Sequence, residues 1–215
     1  MIFKTIFASM GCLLAAGSLA AQTPPAVPGV APTAIPIVPP PAEPENILHL
    51  DLSTGGRVSI QLRPDAAPGH VERMKVLVRR GFYDGLIFHR VIEGFMAQGG
   101  DPKGDGSSGS DLPDLPAEFN SLPHVRGTLS AARSTEPNSA NSQFFIMLAP
   151  RFSLDGKYSV YGRVVSGMNY VDAIEKGEPP ASPSRIVKAS IGADNVAVPA
   201  AGPIMVQPQA APAPQ

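Results

Sequence analysis

The sequence predicts an all-β domain, a sandwich or a barrel, over residues 47–192 of the 215-residue chain. Short runs with strand character recur along this stretch, each bounded by Gly, Pro, Asn or Asp. Only two stretches carry helical spacing. A parallel βαβ sheet needs a helix between most successive strands, so their scarcity leaves an antiparallel architecture. No internal repeat is visible.

The elements follow in order. Residues 47–52 and 57–62 alternate apolar and polar with period two across Thr54-Gly55-Gly56, which reads as a β-hairpin. After Pro64 and Pro68, residues 70–80 place Val71, Met74, Leu77 and Val78 on one helical face, and Gly81 stops the helix. Strands are then expected at 86–92, 95–98, 127–131, 144–148, 159–165 and 186–191. A second short helix is expected at 168–176, ahead of Gly177 and Pro179-Pro180.

Both chain ends differ from this middle. Residues 1–21 hold one charge, Lys4, then an apolar, small-residue run ending in Ser18-Leu19-Ala20. This has the form of a cleavable signal peptide and is shorter than the roughly 20 apolar residues a bilayer span needs. The expectation is a periplasmic or secreted protein with no stable membrane insertion after cleavage. The alternatives are a retained anchor or a lipoprotein at Cys12, although Ser9-Met10-Gly11 is a poor lipidation context. Cys12 is the only cysteine, so a cleaved chain would have no disulfide framework. Residues 22–46, with Pro24-Pro25 and Pro39-Pro40-Pro41, and residues 193–215 are rich in Pro and Ala. They read as a disordered linker and tail acting as spacers, contributing neither core nor catalytic group.

Composition excludes several functions. Lys and Arg number 17 against 18 Asp and Glu, a net charge of −1, which offers no electrostatic case for nucleic acid or an anionic membrane. Arg73, Lys75, Arg79 and Arg80 cluster on the first helix as a solvated face. Gly104 to Gly109 matches G-x-G-x-x-G, but Pro102 before it and Pro113 after it leave no helix N-terminus to hold a phosphate. His49, His70, His89 and His124 lack ligand spacing, so no metal or cofactor is expected. No G-x-S-x-G elbow supports a serine hydrolase.

Three segments do not read as plain scaffold: Phe88-His89-Arg90-Val91-Ile92-Glu93-Gly94-Phe95-Met96-Ala97-Gln98-Gly99-Gly100-Asp101, Leu129-Ser130-Ala131-Ala132-Arg133, and Asn141-Ser142-Gln143-Phe144-Phe145-Ile146. They resemble the signature blocks of the cyclophilin family, and Leu154-Asp155-Gly156-Lys157 and Gly167-Met168 follow in the family's order. The resemblance spans residues 47–192. It implies a closed, eight-stranded antiparallel barrel capped by two α-helices, acting as a monomeric peptidyl-prolyl cis/trans isomerase on proline-containing chains, without cofactor. By the same resemblance Arg90 is the catalytic arginine. Phe95, Met96, Phe145 and Leu154 receive the proline ring, Gln98 and Gln143 are polar groove residues, and Ala132 and Arg133 pair with the substrate backbone. Tyr158, also expected to contact substrate, stands where well-studied eukaryotic members have a histidine, and Ser153 where they have a tryptophan. These departures put drug binding and the outer groove in question.

Strand parity gives support of its own, since Met96 and Gln98 share a face, as do Gln143 and Phe145. Phe95 would point the other way unless the chain bends near Gly94. Two other readings stay open: a barrel that binds proline peptides as a chaperone or scaffold with little turnover, and a hydrolase using His89 or His124.

Overall fold

A computed structural model describes residues 39 and 41–198. The expectations for residues 1–38 and for the tail beyond 198 lie outside the described residues.

Eight antiparallel strands form one sheet: β1 (Ile47–Leu52), β2 (Gly56–Leu62), β3 (Phe88–Ile92), β4 (Met96–Gly99), β5 (Thr128–Ala131), β6 (Phe144–Met147), β7 (Val160–Ser166) and β8 (Ile186–Ile191). Their order is β3-β4-β6-β5-β7-β2-β1-β8. The edge strands β3 and β8 share no ladder. Their ends meet through the isolated bridge Ile87↔Arg185 and the bond from Phe88 N–H to the Ser184 carbonyl (2.9 Å). The sheet is therefore curled and open along this seam, where a fully closed barrel was expected. The reason is local: the chain turns at Gly85, whose φ is +82°, and enters β3 only at Phe88, so few residues face β8.

The inward residues make the core. Leu48, Leu50, Val58, Ile60 and Leu62 from the first hairpin meet Phe88, Val91, Ala97, Leu129, Phe144 and Ile146, all essentially inaccessible. Helix α1 (Pro68–Arg79) packs against β7 and β8, and α2 (Met168–Asp172) against β2.

Helix α1 starts two residues before its expected limit because Pro68 occupies its first turn, where a missing N–H costs nothing. Its cap comes from a distant loop: Glu118 accepts from Gly69 N (2.9 Å) and His70 N (3.0 Å). Helix α2 is shorter than expected, since Lys176 Nζ turns back to the carbonyls of Asp172 and Ile174 and closes the end.

Ordered contacts also extend past residues 47 and 192. Pro44–Asn46 forms a 3-10 turn, and Arg79 pairs with Glu45 (2.8 Å) and Asp194 (3.0 Å). Arg57 donates to the carbonyls of Val196 and Ala197. The inner ends of both flanks are thus fastened to the domain.

Candidate functional site

The site lies on the outward face of β3, β4, β6 and β5. Register places Arg90 opposite Gln98, Gln98 opposite Phe145, and Phe145 opposite Ser130. One row of side chains therefore crosses four strands, and the next row sets Ile92, Met96 and Met147 side by side. Gly94, with φ +65°, turns β3 into β4. Phe95 sits in that turn ahead of β4, so the bend brings it round to the face of Met96 despite its parity.

A recess of about 140 Å³ is lined by Arg90, Phe95, Met96, Gln98, Ala132, Arg133, Phe145, Leu154 and Tyr158. The structure thus gathers every expected site residue except Gln143 into one cavity. Met96, Ala132, Phe145 and Met147 form a buried cluster separate from the main core, with Ile92, Phe95, Leu154 and Tyr158 packed on it. Phe145 and Met96 are therefore not core residues met by chance on a surface. Their cluster has an open side, and Arg90 stands at it with 42% of its side chain exposed.

Gln143 lines an adjoining recess of about 400 Å³ with Gly106, Ser108, Asp114 and Asn141. Its amide N donates to the carbonyls of Gly106 (3.0 Å) and Ser108 (2.8 Å), and its oxygen accepts from Gln98 (3.0 Å). Gln143 thus joins the loop of residues 101–109 to the groove. That loop is the glycine-rich stretch of the sequence, and it folds around Asp101 instead of a phosphate. The buried Asp101 carboxylate accepts from Lys103 N (2.9 Å), Asp105 N (3.1 Å), Gly106 N and Ser108 Oγ. Burial works against its charge, but these donors outweigh it and hold the carboxyl at about 2.

Arg133 turns its side chain from the recess toward the neighbouring loops. Its guanidinium donates to the carbonyls of Ser134 (2.8 Å) and Lys157 (2.9 Å) and lies over the Tyr158 ring at 4.6 Å. Tyr158 meets Phe145 edge to face at 5.8 Å. Ala132 N–H is held by the Gln143 carbonyl (3.0 Å). Ser153 is exposed in the turn Phe152–Leu154, one residue from the recess.

Sequence reasoning missed two features. Arg90 Nε donates to Glu178 Oε2 at 2.6 Å, from a loop 88 residues away, and no local pattern signals that pair. Beneath Phe145 lies His124, stacked on its ring at 6.1 Å and 21°. His124 Nδ1 is 2.9 Å from Asp155, and Nε2 is 3.2 Å from Ser130 Oγ. The group has the outline of a Ser-His-Asp triad, but Ser130 is fully buried and donates to the Ser159 carbonyl. No substrate carbonyl can reach it, so it is a scaffold beneath Phe145. His89 is buried beside Asp101 and Asp105 and stands by no nucleophile. Among the described residues no group of His, Cys, Asp or Glu could hold a metal ion.

Comparison with known proteins gives concordant results. A family model described as "Cyclophilin type peptidyl-prolyl cis-trans isomerase/CLD" matches residues 49–191. A "Probable peptidyl-prolyl cis-trans isomerase" of Brucella suis is 52% identical over 169 residues, covering 71% of this chain and 86% of that protein. The crystal structure of a cyclophilin from Hirschia baltica superposes with a TM-score of 0.66 at 31% identity, covering 71% of this chain and 76% of the other. A cyclophilin-type isomerase of Cryptosporidium parvum, solved in the presence of the dipeptide Ala-Pro, gives a TM-score of 0.63 at 28% identity, covering 67% and 98%.

Proposed function

The chain belongs to the cyclophilin-type peptidyl-prolyl cis-trans isomerases, and from that premise we propose how its groove works and on which substrates. The family's reaction is rotation about an X-Pro amide, which resonance opposes with a barrier of about 18–20 kcal/mol. No nucleophile, metal or cofactor is required. What is required is a site that binds the twisted amide better than the planar one.

The observation that carries the reading is the open apolar recess of Phe95, Met96, Phe145 and Leu154 with the Arg90 guanidinium at its edge. The recess anchors the proline ring. As the amide twists, its nitrogen becomes pyramidal and gains a lone pair, and Arg90 meets it with a hydrogen bond that the planar form cannot accept. Gln98 is held by Gln143 within reach of the rotating carbonyl. Since the Ala132 N–H is engaged within the protein, the substrate backbone is held through the Ala132 carbonyl and the Arg133 N–H.

The substrates proposed are proline-containing segments of exported proteins, met after removal of residues 1–21. The single charge at Lys4, the short apolar run and the small residues before Gln22 support this location. The Ala-Pro dipeptide of the Cryptosporidium parvum structure supports the substrate class.

Exchange spectroscopy on an Ala-Pro peptide tests the activity. Catalytic amounts of the chain should bring cis–trans exchange from the uncatalysed scale of tens to hundreds of seconds into the sub-second range. Binding without accelerated exchange would favour the scaffold reading instead. Mass measurement of the N-terminus in a periplasmic fraction tests location, with a start near Gln22 expected and a full-length cytosolic chain contradicting it.

A further inference from the structure

The isomerase recess has a cation at its edge that the rotation step leaves unused. Arg151 opens the turn Phe152–Leu154, and its guanidinium lies over the Phe95 ring at 4.9 Å. Phe95 and Leu154 both line the recess, so this guanidinium stands at its rim. The backbone beneath it is fixed on both sides: Arg151 N–H donates to the His124 carbonyl (2.8 Å), and the Arg151 carbonyl accepts from Leu154 N (3.1 Å).

The other guanidiniums of the site have partners. Arg90 is answered by Glu178 (2.6 Å), and Arg133 donates to the carbonyls of Ser134 (2.8 Å), Thr135 (3.2 Å) and Lys157 (2.9 Å). Among the described residues no hydrogen bond or ion pair engages the Arg151 guanidinium. The nearest carboxylate along the chain, Asp155, is turned to His124, meeting its N–H at 2.8 Å and its ring at 2.9 Å. Arg151 is exposed, as most arginines are. What distinguishes it is its seat: stacked on a ring of the recess, the planar fork has given up part of its rotamer freedom before any ligand arrives, and its N–H edge stays free.

The path of a bound chain follows from the two recesses. Gln98, Ala132 and Arg133 line both the proline recess and the adjoining one, so the segment ahead of the proline runs out over that side, with its rotating carbonyl toward Gln98. The wall left for the segment after the proline is that of Phe95 and Leu154, neither of which lines the adjoining recess. Resting on the isomerase reading, we propose that Arg151 selects substrates that carry Asp or Glu directly after the proline. A guanidinium takes a carboxylate through two parallel N–H···O bonds in its own plane, which the stack on Phe95 leaves open. Glu178, the carboxylate already at the site, is held by Arg90, so its repulsion of an acidic substrate is offset. A neutral residue in the same position is still turned over, without this contact.

Exchange spectroscopy on Ala-Ala-Pro-Glu, Ala-Ala-Pro-Gln and Ala-Ala-Pro-Lys, blocked at both ends, tests this. In the wild type kcat/KM should fall in the order Glu, Gln, Lys, with Glu ahead of Gln by about two- to fivefold, the scale of an exposed ion pair. The difference should lie in KM, because the pair forms in the planar and the twisted state alike. It should close in about 0.5 M salt, where such pairs are screened. Arg151→Gln should bring the Glu-to-Gln ratio to about one, and Arg151→Lys, which keeps the charge without the planar fork, should restore part of it. A merely structural role for Arg151 would lower all three rates together and leave the ratio standing, and that result would overturn the proposal. So would a wild type that turns over the three peptides alike. Acceleration of none of them would overturn the isomerase reading itself, and the proposal with it.

Discussion

Arg90 gives its Nε to Glu178 (2.6 Å), which leaves the two Nη nitrogens of the guanidinium fork for a substrate. If one of them meets the prolyl nitrogen only in the twisted state, Arg90→Ala should lower kcat/KM by about 10²–10³, the scale for loss of one transition-state donor. Unfolding free energy should change by less than about 0.5 kcal/mol, because the side chain is half exposed. Arg90→Lys keeps the charge but not the planar fork, so it should recover only part of the rate. Peptide isomerisation kinetics beside urea melts separate this from a plain surface arginine, for which the rate would not move. Glu178 orients the same guanidinium through a solvent-exposed pair, a class worth about 0–1 kcal/mol. Glu178→Gln should therefore reduce kcat/KM by no more than about fivefold, and a larger loss would make Glu178 part of the chemistry. Ser153 offers neither ring area nor an indole donor where, by the resemblance, well-studied eukaryotic members of the family have a tryptophan, so cyclosporin should bind weakly and Ser153→Trp should tighten it. Low-nanomolar binding by the wild type, measured by calorimetry, would contradict that positional match.

At the scale of elements, the groove depends on a loop organised by one carboxylate. Asp101 is held at about 2 against an unfolded value of 3.8, a gap that corresponds to about 2 kcal/mol. The sign follows from the depressed value. Folded Asp101 keeps its charge where the unfolded chain takes up a proton, so its contribution is complete above about pH 4 and is lost as pH falls toward 2. Asp101→Asn should lower stability at neutral pH and flatten the curve across that window, which denaturant melts at stepped pH would show. Gln143 joins this loop to Gln98, so activity should fall together with loop order. The β3–β4 turn is the other element that builds the site, because without the positive φ of Gly94 the chain could not carry Phe95 to the face of Met96.

For the whole molecule, acid sensitivity at milder pH belongs to histidines at different places in the fold, His89 and His124 buried and His49 half-buried. Burial pushes His49, His89 and His124 below the usual imidazole value, with the neighbouring Asp155 working in the opposite direction at His124. The neutral ring is the form the fold accepts. Their contribution is complete above about pH 6.5, where the unfolded chain is also neutral, and declines as pH falls below it. Melting temperature should drop from pH 7 to pH 5, and His124→Gln should reduce that slope. An unchanged slope would place the sensitivity at the other two rings. Since His124 supports Phe145, the same acid step should weaken peptide binding.

The strands and both helices were legible in the sequence because they rest on short-range rules, whereas the groove residues were named only by the resemblance to the cyclophilin blocks. Period-two alternation placed Met96 with Gln98 and Gln143 with Phe145, each pair on one face, and only the ladder register set Phe145 beside Gln98. The block from Phe88 to Asp101 is long enough to carry a family's identity, and the family comparison agrees with it. Tertiary structure alone decided the remainder, for a common reason: each feature joins residues far apart in the chain, whose approach depends on how the sheet curls. The open β3–β8 seam, the capping of α1 by Glu118 and the pairing of Arg90 with Glu178 are of this kind. So are the seat of His124 under Phe145, the fastening of Glu45 and Asp194 by Arg79, and the stack of Arg151 on Phe95. Periodicity assigns a residue to a face, but only the packed chain assigns it a partner.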